Sequence, residues 1–158
     1  MQEYITTVSK YLLVLCMAFY TLDSLMVFRY RNDREGGFIY LRQNFWMFAI
    51  QFVSFFNIAI LSRDWFYVFL YGVLQVFLFL VLCITPIVYR NINRLLLNNM
   101  CMLIGIGMIM VSRLDADKAV RQFKIILASY IICMFVPLIV SKVKFLSKLR
   151  WVYGAIGI

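Results

Sequence analysis

Few residues in this 158-residue chain could do chemistry, and their types narrow the options quickly. Histidine is absent, which removes imidazole acid–base catalysis and His-ligated metal sites from within the chain. The four cysteines, Cys16, Cys83, Cys101 and Cys133, each lie inside an apolar run, and no two form a C-x-x-C pair. They read as small packing residues rather than as a disulfide or zinc framework. Asp23 is the one acidic residue inside an apolar run, and an intramembrane carboxylate is by default a candidate for proton or ion coupling. It stands only about 9 Å of helix rise from the basic end at Arg29. A structural role near the interface, hydrogen-bonded to Thr21, Ser24 or a neighbouring helix, therefore weighs more. Gln51, Asn57, Gln75, Asn98 and Asn99 are uncharged amides of the kind that join helices through hydrogen bonds worth about 1 kcal/mol each. No cofactor is expected.

The sharpest local chemistry lies between Gly105 and Phe123, sequence GIGMIMVSRLDADKAVRQF. A glycine-bearing apolar helix ends near Ser112-Arg113. Asp115 is placed to cap a new helix beginning near Ala116, and Asp117 falls in its first turn, where negative charge suits the helix dipole. Lys118, Arg121 and Gln122 form a polar flank, while Leu114, Val120 and Phe123 suit lipid or packing partners. A basic surface beside a helix N-terminus at headgroup depth favours anionic headgroups or phosphates. Arg113 and Arg121 are the candidate binding residues, weighed against the plainer reading that both are interface anchors that snorkel. Gly105 and Gly107 do not form GxxxG and imply only close approach by another backbone.

The elements that would position these residues are membrane helices. Residues of the AVILMFWYC class make up 65% of the chain, against about 45–50% for a soluble domain even when Gly is included. Charged residues are 15%, against about 25%. Mean hydropathy is +0.88. Too few polar side chains remain to cover a water-facing surface, and disorder is excluded by the same hydrophobicity. The expected fold is all-α, a polytopic bundle with five complete spans and the start of a sixth.

The runs are Tyr11–Phe28, Gln43–Ser62, Trp65–Tyr89, about Leu95–Val111 and about Ile125–Val140, each bounded by charge. The first reads as a retained span, because Glu3 sits where a signal peptide would be basic and no small-residue cleavage site follows Tyr20. Arg63-Asp64 is short enough to make the second and third spans a hairpin. RNDREGG, 31–37, reads as a polar loop with a turn at Gly36-Gly37. Trp46, Trp65 and Trp151 suit an aromatic belt at span ends, and Phe52, Phe55 and Phe56 suit lipid-facing or packing surface. The closing WVYGAIGI, after the basic stretch Lys142–Arg150, resembles the first turns of a further span.

The net charge of +9 sits in the gaps between runs, a pattern of membrane topology rather than of nucleic-acid binding. The connections holding Arg29–Arg42, Arg90–Arg94 and Lys142–Arg150 together carry more Lys and Arg than the alternate set. This puts them in the cytoplasm and the N-terminus outside, although Ser112–Lys124 weighs against that margin.

Met110-Val111-Ser112-Arg113-Leu114-Asp115, followed by Ala119, Arg121, Gln122 and Phe123, resembles the end of the first core helix and the first outer loop of the FtsW/RodA/SpoVE (SEDS) family. Ala116 stands where the family pattern often has proline, a mild departure because alanine is a good helix former. The resemblance covers roughly Leu95 to Ile158. It implies two units, a three-span membrane unit at 1–94 and the first helices of a SEDS-like core at 95–158, with Ser112–Lys124 outside. It further implies a bacterial plasma-membrane enzyme that polymerises glycan strands from lipid II in division, elongation or sporulation, partnered by a class B penicillin-binding protein. Membrane lipids are the other expected partners; nucleic acid is not. The family's catalytic aspartate lies in a late outer loop, and no residue here matches it, so residues 1–158 are expected to be inactive alone. On this resemblance Arg113 or Arg121 would help hold the pyrophosphate of the lipid-linked substrate. The competing expectations are a non-enzymatic membrane scaffold or accessory subunit and, less favoured, a piece of a transporter or channel.

Overall fold

The computed structural model describes residues 2–29, 33–89 and 92–142. Among them every element is a helix: α1 (Gln2–Arg29), α2 (Asp33–Ser62), α3 (Phe66–Val88), α4 (Arg94–Leu114) and α5 (Ala116–Lys142). Each contains a stretch long and apolar enough to cross a membrane: Thr6–Val27, Gly37–Ser62, Phe66–Val88, Arg94–Leu114 and Ala116–Val136. The chain is an all-α, multi-pass membrane protein. In hydrocarbon every backbone N–H and C=O must be paired within its own segment, which is why such apolar runs become continuous helices. The start of a sixth span and Trp151 lie outside the described residues.

That same pressure lengthens the helices beyond the charge-bounded runs, and four expectations change as a result. Gly36 and Gly37 lie inside α2 rather than in a turn; helix continuity outweighs the roughly 1 kcal/mol that each glycine costs. Arg42 belongs to the second span rather than to the connection before it. Trp46 is four residues further in and stacks on Phe19 of α1 with ring centroids 4.9 Å apart, so it is a packing residue rather than part of a belt. Ser112–Lys124 is helical except at one residue, Asp115, so Arg113 rides on the last turn of α4 and Lys118, Arg121 and Lys124 on the first turns of α5.

Helix ends follow local chemistry. Asn93 caps α4, its side-chain oxygen accepting from the N–H groups of Leu95 and Leu96 at 3.0 and 3.4 Å. Asp115 caps α5, its Oδ1 accepting from the Asp117 N–H at 3.0 Å, as the sequence suggests, and Lys118 lies 3.5 Å from its carboxylate. The α2–α3 hairpin turns at Arg63, whose φ of 53° is a left-handed conformation that helix ends usually give to glycine. Asp64 then accepts from the Phe66 N–H at 3.0 Å and starts α3.

The chain divides into two compact units, Met1–Val120 and Arg121–Ile158. In the first, α2 is central and packs on α1, α3 and α4, while α3 also packs on α4. Phe55 and Met47 of α2, Leu74 and Leu78 of α3, and Cys101 and Met108 of α4 are fully buried. Phe52, Phe69, Phe79 and Leu103 point outward, as lipid-facing side chains do. Cys16 is also buried, whereas Cys83 is exposed. The described part of the second unit is the remainder of α5, with Ile125, Ile132 and Phe135 exposed.

Candidate functional site

The polar side chains of the first unit converge at two levels of the bundle. The first joins α1, α2 and α4. Asp23, only 4% exposed, takes two hydrogen bonds from the Arg42 guanidinium: Nε donates to Oδ2 at 2.9 Å and Nη2 donates to Oδ1. This is the two-point geometry that arginine's planar fork provides. The Arg42 side chain remains 40% exposed, and its Nη2 also reaches the Met26 sulfur at 3.6 Å.

One position further along α2, Gln43 is wholly buried. Its Nε2 donates to Ser24 Oγ at 2.7 Å and to Asn99 Oδ1 at 3.5 Å, and its Oε1 accepts from Asn98 Nδ2 at 2.9 Å. Tyr20 closes the set by donating its hydroxyl to Asn99 Oδ1 at 2.9 Å. The donors and acceptors of this level answer one another across three helices. A network saturated in this way fixes helix register and leaves no free acid or base for chemistry.

The second level lies eight residues further along α2, about 12 Å deeper. Gln75 of α3 donates its Nε2 to Gln51 Oε1 at 3.0 Å. The Gln51 side chain fills the space that a Cβ on Gly105 of α4 would need, so the glycine admits a side chain rather than a backbone. Gly107 faces open space. Gln43 with Asn98 and Gln51 with Gly105 advance together, so α2 and α4 run parallel. Ser24 with Gln43 and Phe19 with Trp46 run in opposite senses, so α1 and α2 are antiparallel. The C-terminal end of α4 therefore lies at the opposite end of the bundle from the α1–α2 connection. Gln51 Nε2, Asn44 Oδ1, Asn57 Oδ1 and Ser112 Oγ are buried without a hydrogen-bond partner.

The sequence places Asp23 and the amides among helix–helix contacts, and the structure puts Asp23, Gln51, Gln75, Asn98 and Asn99 there, whereas the Asn57 Oδ1 is buried without a hydrogen-bond partner. Arg42 as the partner of Asp23 is not evident from the sequence, because Arg42 stands beside the loop charges and bounds the apolar run. The signal was the adjacent pair Arg42-Gln43. In an antiparallel hairpin these residues fall level with Asp23 and Ser24. Arg113 sits exposed in the last turn of α4, and Arg121 is exposed on α5. They belong to different units, and neither takes part in the two polar levels. No group of three or more residues able to hold a metal ion occurs among the described residues. No family model, curated protein or solved structure matches the chain.

Proposed function

We propose that the chain is the N-terminal part of a SEDS-type peptidoglycan glycosyltransferase of the bacterial plasma membrane, and that its own residues are structural rather than catalytic. The observation that carries this reading is the Met110–Asp115 motif astride the α4–α5 break, with Asp115 as the cap. That junction lies at the end of the bundle away from the α1–α2 connection, which suits an outer position. Arg113 precedes it and Arg121 follows it in sequence, and on the resemblance one of them would help hold the pyrophosphate of the lipid-linked precursor through a two-point contact, against the plainer role of an interface anchor that snorkels. Partnership with a class B penicillin-binding protein follows from the same resemblance.

The test is lipid II polymerisation by the product of the extended reading frame, copurified with its penicillin-binding protein, beside residues 1–158 alone. Polymer is expected from the first and none from the second. Polymer from the isolated chain, lost on replacing one of its acidic residues, would overturn the reading. Arg113→Lys and Arg121→Lys separate the roles of the two arginines: loss of polymerisation at unchanged membrane abundance indicates the fork, and full activity indicates snorkelling.

A second reading, a non-enzymatic membrane scaffold or accessory subunit, is favoured by the self-satisfied network around Gln43. It predicts that the reading frame gains no outer loop bearing an essential aspartate.

A further inference from the structure

The seam between α2 and α4 is built on a heptad. Gln43, Ile50 and Asn57 occupy one heptad position of α2, and Asn98, Gly105 and Ser112 occupy the matching position of α4. At the first level Gln43 and Asn98 are hydrogen-bonded at 2.9 Å, which sets the two helices 55 residues apart. The second level is also closed, because Gln51, beside Ile50, fills the space over Gly105. Fourteen residues make about four turns and about 21 Å of rise on either helix. Asn57 therefore returns to the face of Gln43, and Ser112 to the face of Asn98. By that register Asn57 and Ser112 stand level with each other on facing sides of α2 and α4.

Both carry an unmet hydrogen bond. Ser112 is fully buried and its Oγ has no partner; the Asn57 Oδ1 is buried without a donor. The hydroxyls of Ser24 and Ser54 turn back to the carbonyl four residues earlier, at 3.0 and 2.8 Å, but Ser112 makes no such bond. Its hydroxyl is a donor still to be used, and the Asn57 carbonyl is an acceptor still to be filled. Leaving either unpaired away from water is costly. Both atoms are sealed from the surface, so the partner of each must come from within the bundle rather than from lipid.

We propose that Asn57 and Ser112 form a latch between α2 and the C-terminal end of α4. The structure holds it open, and it closes when Ser112 Oγ donates to Asn57 Oδ1. The saturated level at Gln43 anchors the start of α4, and Gly105 and Gly107, between the anchor and the latch, are where α4 bends. Ser112 lies in the last turn of α4, three residues before the Asp115 cap. Closing draws the α4–α5 junction, with Arg113 and Asp115, toward α2, and opening releases it. The latch belongs to the α2–α4 seam alone and does not depend on the glycosyltransferase reading.

Cross-linking kinetics on the full chain in liposomes test it, with the four native cysteines replaced. Leu61→Cys near the end of α2 and Ala116→Cys at the start of α5, each four residues beyond a latch residue, report the approach of the two ends to a short bifunctional methanethiosulfonate. The parent should cross-link. Ser112→Ala and Asn57→Leu should each slow cross-linking by about 3- to 18-fold, the factor that one hydrogen bond between membrane helices is worth. The two changes together should slow it no further than either alone, because one bond is lost only once. Ser112→Thr, which keeps the hydroxyl, should cross-link like the parent. Gel filtration and circular dichroism check that each variant folds, and a monofunctional reagent checks that both cysteines stay reactive. No cross-link in the parent, a folded Ser112→Ala variant as fast as the parent, a Ser112→Thr variant as slow as Ser112→Ala, or effects that multiply in the double variant would each overturn the latch.

Discussion

Gln43→Leu is the most informative single change. Leucine has a similar volume and is at home in a membrane helix, so packing changes little. What is lost is the amide that joins Ser24 of α1 to Asn98 and Asn99 of α4. The two shorter contacts, at 2.7 and 2.9 Å, are each worth about 0.6–1.7 kcal/mol between membrane helices. The third, at 3.5 Å, is at the limit of a hydrogen bond and adds little. Asn98 Nδ2 is then left buried with its partner gone, a cost of about 1–3 kcal/mol. A loss of about 2–6 kcal/mol follows from these terms. Reversible unfolding in mixed micelles by increasing dodecyl sulfate reads it, with Trp46, one turn away against Phe19, as the fluorescent reporter. The double variant with Asn98→Leu separates hydrogen bonding from packing, because replacing both partners leaves no orphan and costs less than the two single changes together. A Gln43→Leu protein within about 0.5 kcal/mol of the parent, or strictly additive single changes, would refute the argument.

Gly105→Ala places a methyl group where Gln51 lies and should destabilise by about 1–3 kcal/mol in the same titration, whereas Gly107→Ala, with open space around it, should be neutral or slightly stabilising. Gln51→Ala should rescue Gly105→Ala. Arg42→Gln leaves the buried Asp23 carboxylate without its partner and should cost about 2 kcal/mol, less than the 3–5 of a wholly buried pair because Arg42 is part-exposed; the double change with Asp23→Asn should recover most of it. Arg63→Gly relieves a left-handed backbone and should raise stability by about 0.5–1 kcal/mol, read as a shift in the unfolding midpoint.

The bundle was legible because hydropathy, charge spacing and backbone pairing in lipid all point to long helices. The α2–α3 hairpin at Arg63-Asp64 and the Asp115 cap follow from short-range chemistry, and the structure has both. The start of α2 is hidden in the sequence because charge resembles the end of a span. Arg42 and the Gly36-Gly37 pair resemble a loop until a buried carboxylate on the neighbouring helix explains the arginine. The amides of the candidate site could be recognised as helix-joining groups, but their pairings depend on which helices touch. Gln43 gives no signal of its own, because it stands at the first position of its apolar run, where a polar residue looks like a boundary. The parallel pairing of α2 with α4 is a long-range fact that no local pattern carries.

The account depends most on five spans that start outside, with the α1–α2 connection and the α4–α5 junction on opposite faces. Labelling with a membrane-impermeant maleimide tests this directly, in a background with the four native cysteines replaced and single cysteines introduced as Asp117→Cys and Asn32→Cys. In intact cells Asp117→Cys should label and Asn32→Cys should not; in inverted vesicles the pattern should reverse. Asp117→Cys reacting only from the cytoplasmic side, or both positions labelling from one side, would contradict it.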